Sequence, residues 1–386
     1  MSRIMRLSDL GRIVTGNTPK TSDFRNYNSK DICFVKPSDI PVDCIGRLRE
    51  SEFYISEFAR DKARMLPKGS VLLTCIGIIG KVAVNEIECA FNQQINAIIP
   101  DCDKCDCIYL AYALSAKKDY LQALANAPVV PIINKTQFSA FQIPVPSLSV
   151  QSDIVKRIEI IDYLISLRQR QAEKLDELAK ARFVEMFGDP VLNCQGFPVR
   201  TIGELTTEVK YGTSKPAVEG GKYPYLRMNN LTIDGKLDLH DLKQIDVDTS
   251  EFEKCVVRKG DVLFNRTNSA ELVGKTAYYG LDEEMIIAGY IIRVRVNNLI
   301  LPQYLSFYMN MPFMKQRIRS MAKGAVNQAN INSKELKSIK VIVPPLEVQG
   351  KVVEYEERID REKDRIQRSA ALLETLKRSL MQQYFG

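Results

Sequence analysis

The sequence predicts an α/β fold written twice. Two globular α/β domains are joined by two long antiparallel helices that form a coiled coil, with an internal pseudo-two-fold duplication. Three observations predict it. Motifs recur at an offset of 190 to 200 residues, β-rich runs bounded by turns fill the first part of each copy, and a seven-residue apolar ladder fills the second. The 386 residues are 45% hydrophobic and 26% charged, with apolar mass enough for two or three cores.

The repeat is clearest where Pro146-Ser-Leu-Ser-Val-Gln151 returns as Pro344-Pro-Leu-Glu-Val-Gln349, an offset of 198. The same offset carries Ile133-Asn134 to Ile331-Asn332 and Phe187-Gly188 to Phe385-Gly386. Upstream the offset is 191: Phe34-Val-Lys-Pro-Ser-Asp-Ile40 matches Tyr225-Leu-Arg-Met-Asn-Asn-Leu231, and Lys68-Gly-Ser-Val-Leu-Leu73 matches Lys259-Gly-Asp-Val-Leu-Phe264. The second copy therefore gains seven residues between Lys259 and Asn332, three of them between Gly260 and Gly274. The boundaries implied are 1–146 and 189–344 for the α/β domains, and 147–188 and 345–386 for the helices.

Strands are expected at Ile32–Lys36, Val71–Ile76, Val82–Val84 and Ile95–Ile99. Their counterparts are Tyr223–Met228, Val262–Asn265, Thr276–Tyr279 and Tyr290–Val296. Short helical patterns follow at Tyr109–Leu124 and Tyr304–Ala322, the latter broken at Pro312. The long helices carry the strongest periodicity. Ile154, Ile158, Ile161, Ile165 and Leu175 lie on a ladder of fours and threes that continues through small Ala172 and Ala179 and skips one position, at Arg168, while Val352, Ile359, Ile366, Leu373 and Leu380 keep a strict seven. A helix of about 36 residues is roughly 54 Å long and cannot bury so narrow a stripe alone. Its own duplicate is the expected partner, through those ten residues.

Composition excludes several chemistries. Lys+Arg 54 against Asp+Glu 47 gives a net charge of +7, which permits a polyanionic partner without demanding one. One histidine, His240, precludes multi-histidine metal centres and reads as a surface residue. Nine cysteines without an export signal read as reduced thiols in a cytoplasmic protein. Cys102-x-x-Cys105-x-Cys107 has no counterpart in the second copy and reads as the loop entering the Tyr109 helix, so no metal is expected. Val273-Gly-Lys-Thr276 resembles the end of a Walker A loop, but Ser269 stands where that loop needs glycine. No dinucleotide fingerprint and no Asn/Asp-Pro-Pro-aromatic tetrapeptide is present.

What the sequence does carry is loops rich in groups that touch nucleic acid. In the first copy they hold Thr18, Lys20, Lys81, Gln93 and Lys135. In the second they hold Thr213, Lys215, Arg227, Arg266, Asn268, Lys275 and Asn330, the last within Asn327-Gln-Ala-Asn330. Arginine and lysine satisfy guanine O6 and N7, asparagine and glutamine satisfy adenine N6 and N7, and hydroxyls hold phosphates. Two duplicated sets on a stiff spacer suit two short DNA sequences at a fixed separation. A protein-only coiled-coil scaffold and a free-standing DNA enzyme are the rival readings.

Over essentially its whole length the chain resembles the specificity (S) subunits of type I restriction–modification systems. Lys68-Gly-Ser-Val-Leu with Gly80-Lys-Val-Ala, and Lys259-Gly-Asp-Val-Leu with Gly274-Lys-Thr-Ala, are similar to that family's Gly-Asp-Val-Leu…Gly-Lys-x-Ala segment. Tyr225-Leu-Arg-Met-Asn-Asn resembles its Tyr-Ile-Arg-x-x-Asn strand, and Pro146…Gln151 and Pro344…Gln349 resemble its helix-start motif. Ser70 and Phe34-Val-Lys depart slightly in the first copy. The resemblance implies that each α/β domain is a target recognition domain reading half of a split double-stranded DNA site. It also implies that the helices dock two methyltransferase (M) subunits, that restriction (R) subunits join them, and that this chain is not itself an enzyme. S-adenosylmethionine, ATP and Mg²⁺ would serve those partners, with no cofactor in this chain.

Overall fold

The structure is a computed structural model describing residues 2–386 except 43, 126–130, 189–192, 194 and 326–327. The chain forms two compact units: Met1–Arg170 with Gln367–Gly386, and Gln171–Ile366.

Unit 1 is built on two sheets. One runs in the order Gly11–Thr15, Ile95–Pro100, Val71–Thr74, Val82–Asn85, Gly46–Leu48, and the other Tyr54–Ile55, Ile32–Val35, Cys89–Phe91, Met65–Leu66. Unit 2 repeats the plan with Thr206–Tyr211, Ile291–Val296, Val262–Asn265, Thr276–Tyr278, beside Lys243–Ile245, Tyr223–Leu226, Met285–Ile287, Val256–Val257. The expected strands are present, each end within two residues of its expected place; Val82–Asn85 and Ile95–Pro100 run one residue longer. Continuous apolar runs such as Val71–Thr74 and Val262–Asn265 are buried at every position, because both faces of these strands are covered. Pairing is chiefly antiparallel. Parallel contacts join Ile32–Val35 to Cys89–Phe91, Gly46–Leu48 to Val82–Asn85 and Tyr223–Leu226 to Met285–Ile287, so the α/β expectation narrows to a mixed helix-and-sheet fold.

The second copy also carries a small sheet of Thr267–Asn268, Gln328–Asn330 and Lys323–Ala325. In unit 1 the same place holds, among the described residues, a bridge between Ile76 and Ile132. The expected helix at Tyr109–Leu124 is two, Cys107–Ala116 and Lys118–Leu124, meeting at Lys117. Its counterpart is Pro302–Asn310 and Pro312–Met321, broken before the proline ring that removes a donor.

The long helices are Leu148–Phe187 and Leu346–Phe385. Each is fastened at its start by the glutamine of the repeated motif. Gln151 is fully buried; its amide donates to the carbonyls of Lys104 (3.0 Å) and Pro146 (2.9 Å), and its oxygen accepts from the Asp106 amide (2.9 Å). Gln349 repeats the bracket with the Leu299 and Pro344 carbonyls (3.0 and 2.8 Å) and the Leu301 amide (2.8 Å). A buried amide is tolerated only when its hydrogen bonds are made, so the motif is a structural clamp.

The repeated Phe-Gly endings have an equally definite role. Phe385 ends the second helix inside unit 1, 5.2 Å from the Tyr109 ring, while Phe187 ends the first inside unit 2, 6.0 Å from Tyr304. Both phenylalanines are buried. Each core is therefore completed by the far end of the helix that begins in the other unit.

Within unit 1 the helical segments run antiparallel. Arg157 donates to Tyr384 (3.3 Å), Asp162 pairs with Lys377 (2.5 Å), and Arg168 donates to Ser369 (3.1 Å). The skipped apolar position at Arg168 is thus a polar cross-contact. Within unit 2, Asp176 meets Lys363, and the Arg182 guanidinium lies 6.0 Å from the Tyr355 ring centroid. Ile154, Ile158, Ile161, Ile165, Val352 and Ile359 are buried, and Leu175, Ile366, Leu373 and Leu380 are half-buried.

Candidate nucleic-acid interface

In each unit one loop crosses from the first strand of one sheet to the end of an inner strand of the other. In unit 1 the Gly16 amide donates to the Ile95 carbonyl and the Asn17 amide to Phe91; in unit 2 Gly212 donates to Ile291 and Thr213 to Ile287. Glycine is required at the crossing. A Cβ on Gly16 would stand 2.1 Å from the Asn92 carbonyl oxygen, and one on Gly212 2.2 Å from that of Ile287. The Gly-x-Thr and Gly-Thr-Ser segments that follow are thereby held against the sheet.

In unit 2 this loop walls a cavity of about 600 Å³. It brings together four sequence-predicted residues, Thr213, Lys215, Arg227 and Arg266, with Tyr225 and Tyr290. Sequence reasoning did not select the two tyrosines, although Tyr290 follows a glycine directly before a strand. The Tyr225 hydroxyl donates to the Lys215 carbonyl (2.9 Å) and burial pushes its pKa up to about 12, so it stays a neutral donor that ties the loop down. Lys215 pairs with Glu251 and lies 3.4 Å from Asp248, and this bonding holds the ammonium above its ordinary pKa. Thr213 is buried, its hydroxyl donating to Glu251, and so it is a support rather than a contact group. The Arg227 guanidinium donates to the Asp241 carboxylate (2.8 Å) and carbonyl (3.1 Å).

Arg266 differs. It stacks 4.9 Å from the Tyr211 centroid and donates weakly to the Gly289 carbonyl (3.4 Å). Its Nε, like that of Arg227, is buried without a partner. Among the described residues it has no carboxylate.

Two predicted residues are corrected. Lys81 and Lys275 are each only 7% exposed. Their ammonium groups point inward, donating to the carbonyls of Pro37 (2.9 Å) and Met228 (2.7 Å), which begin the short 3-10 turns after the Ile32–Val35 and Tyr223–Leu226 strands. Burial lowers the Lys275 pKa. The Gly-Lys pair closes the fold, its ammonium spent on a carbonyl of the neighbouring turn.

The remaining predicted residues are more dispersed. Thr18 and Gln93 are exposed and joined by a 2.6 Å hydrogen bond, and Lys20 is exposed on the same loop as Thr18. Lys135 is exposed in the first turn of the Lys135–Ala140 helix. Asn268 bonds to Asn265 (2.9 Å) and Asn330 accepts from Thr267 (2.8 Å), so both brace the small sheet. Asn327 lies outside the described residues. His240 is exposed beside Asp238. Cys105 is buried with its thiol pushed up to about 12 by desolvation, and Asp106 caps the following helix through the Ile108 and Tyr109 amides.

The type I restriction modification DNA specificity domain matches the chain twice, at residues 2–177 and 196–377. The chain belongs to that family. It is a DNA-specificity subunit of the type I restriction–modification kind, with the specificity domain in duplicate. The EcoKI specificity subunit of Escherichia coli K12 is 20% identical over 95% of this chain and 83% of its own length. The MjaIX specificity subunit of Methanocaldococcus jannaschii is 26% identical over 59% of this chain and 57% of its own length. The same fold occurs in a chain solved in work on complex assembly and conformational transition of the type I R-M system, with TM-score 0.67 and 17% identity over 100% of this chain and 97% of that one. It also occurs in the S subunit from M. genitalium, with TM-score 0.58, 15% identity, and 100% and 96% covered. No helix among the described residues is long and apolar enough to cross a membrane.

Proposed function

We propose that the two specificity domains read the two halves of a split duplex sequence, each through the face around its Gly16 or Gly212 loop. The two long helices act as a coiled-coil ruler that fixes the unread spacer. The observation that carries this reading is the duplicated specificity domain, with the same glycine-anchored loop held by the same backbone bonds in both copies. Exposed Thr18, Lys20, Gln93 and Lys135 serve the first half-site, and Lys215, Arg227 and Arg266 the second. Phosphate contacts set the register and base contacts select the sequence.

The chain supplies recognition and performs no catalytic step. It docks two methyltransferase subunits, restriction subunits join the complex, and S-adenosylmethionine, ATP and Mg²⁺ are used by those partners in the cytoplasm. Mapping modified adenines across a genome with and without the chain tests the assignment. A split motif that disappears with the chain is expected; an unchanged map rejects it. Deleting one heptad from both helices should shorten the spacer, and an unaltered spacer removes the ruler.

A further inference from the structure

We infer that Arg266 reads a guanine through its O6 and N7, and that this makes the half-site of unit 2 differ in kind from that of unit 1. The inference rests on the proposal that unit 2 reads DNA and adds which base class one position selects.

Three cationic side chains line the unit 2 cavity, and two are already neutralised. Lys215 is held by Glu251 and Asp248, and Arg227 by Asp241. Arg266 alone among them has no carboxylate within the described residues. Its guanidinium is nonetheless fixed, with a face on Tyr211 and one Nη1 hydrogen on the Gly289 carbonyl. A partly buried cation with unmade hydrogen bonds is costly unless a ligand completes it. The fixed plane also favours a planar acceptor pair over a mobile phosphate, because a guanidinium fork loses little freedom when it is already positioned.

Guanine is the base whose major-groove edge offers two adjacent acceptors. Adenine and cytosine present an amino donor there, which opposes N–H groups, and thymine offers one oxygen beside a methyl.

The same backbone position in unit 1 carries no such group. The Arg266 amide donates to Tyr290 and its carbonyl accepts from Ile331; the Cys75 amide donates to Gln94 and its carbonyl accepts from Ile133. Cys75 is therefore the structural counterpart, and it is buried. Unit 1 must read its half-site without this fork.

The test uses the full chain and a pool of duplex DNA with randomised positions, comparing wild type with Arg266→Ala and Arg266→Lys. Lysine keeps the charge and loses the fork. The wild type should select a guanine in one half-site, and both variants should lose roughly tenfold or more of the preference at that position alone. The other half-site should be unchanged, which also reports that the variants fold. If Arg266→Lys keeps the preference while Arg266→Ala weakens binding to all sequences evenly, Arg266 is a phosphate contact and the inference is overturned. A wild-type motif with no guanine sensitive to Arg266 overturns it too, while leaving the two-domain reading intact. Absence of any sequence preference in the wild type removes both.

Discussion

The two units share a backbone plan but not an interior. Arg293 and Ala97 occupy the same place, each on the strand between two antiparallel neighbours, with Lys210 and Leu263 flanking one and Val14 and Leu72 the other. In unit 2 Arg293 is fully buried, donating to the Val256 carbonyl and to Glu208 (2.5 Å), and Arg295 bridges Glu208 (2.9 Å) to Asp261 (2.8 Å). In unit 1 the equivalents are Ala97, Ile99 and Ser70, and the nearby turn is held by neutral Asn85. Asn85 accepts from the Ser70 amide (2.7 Å) and donates to the Pro67 and Ile87 carbonyls (2.9 and 2.8 Å). One fold thus tolerates an ionic or a neutral interior, provided its glutamine clamp, glycine crossing and terminal phenylalanine are kept.

The comparison can be broken at the shared features and sharpened at the divergent ones. The largest effect is expected from the terminal phenylalanines. Phe187→Ala should destabilise unit 2, and Phe385→Ala unit 1, each by about 3–5 kcal/mol. Hydrogen exchange resolved by peptide should show each loss in the unit where the helix ends. Arg293→Ala should cost unit 2 about 3 kcal/mol, since it empties a fully buried site and orphans the Val256 carbonyl, even though Glu208 keeps Arg295 and Lys210. Exchange in 206–211 and 291–296 should accelerate while 11–15 and 95–100 stay protected. Equal acceleration in both units would erase the contrast. Gln151→Ala and Gln349→Ala should each cost about 2 kcal/mol, by orphaning the carbonyls and the amide that the side chain satisfies. Thermal unfolding that differs widely between the two variants would show that the clamps are not equivalent.

The smallest effect is expected from acid. Burial raises the Glu208 pKa, but the combined pull of Lys210, Arg293 and Arg295 outweighs it, and the carboxyl is held below its ordinary value. A depressed carboxylate contributes stability that is full above its unfolded pKa, about 4.3, and is lost as pH falls through the folded value. Denaturant unfolding between pH 6 and pH 3 should therefore weaken unit 2, and Glu208→Gln should flatten that slope. A slope unchanged by Glu208→Gln would mean that other carboxylates set it.

Much of this was legible in the sequence because it was written twice. The duplicated Pro-x-x-x-x-Gln and Phe-Gly pairs marked both ends of each long helix, and runs such as Val262–Asn265 sit where their β-branched and aromatic content placed them. The site was less legible, for a physical reason. Gly80-Lys81 and Gly274-Lys275 look like exposed phosphate loops, yet their ammonium groups serve carbonyls 44 and 47 residues away in the chain. Likewise Lys215, Arg227 and Arg266 are alike as letters. Only tertiary contacts with Glu251 and Asp241 show which cations are already satisfied. Arg293 and Arg295 alternate with apolar residues as a half-wet strand does, and the partner strands that enclose them are far off in sequence.

The closing of unit 1 by Phe385 bears on how the chain is made. Residues 2–170 leave the ribosome well before the segment that finishes their core, which follows unit 2 in the chain. At about 5–20 residues per second, the 216 residues from 171 to 386 take on the order of ten to forty seconds to synthesise. Throughout that interval the groove around Tyr109 lacks its own lid, so of the two units the one translated earlier is the one completed later.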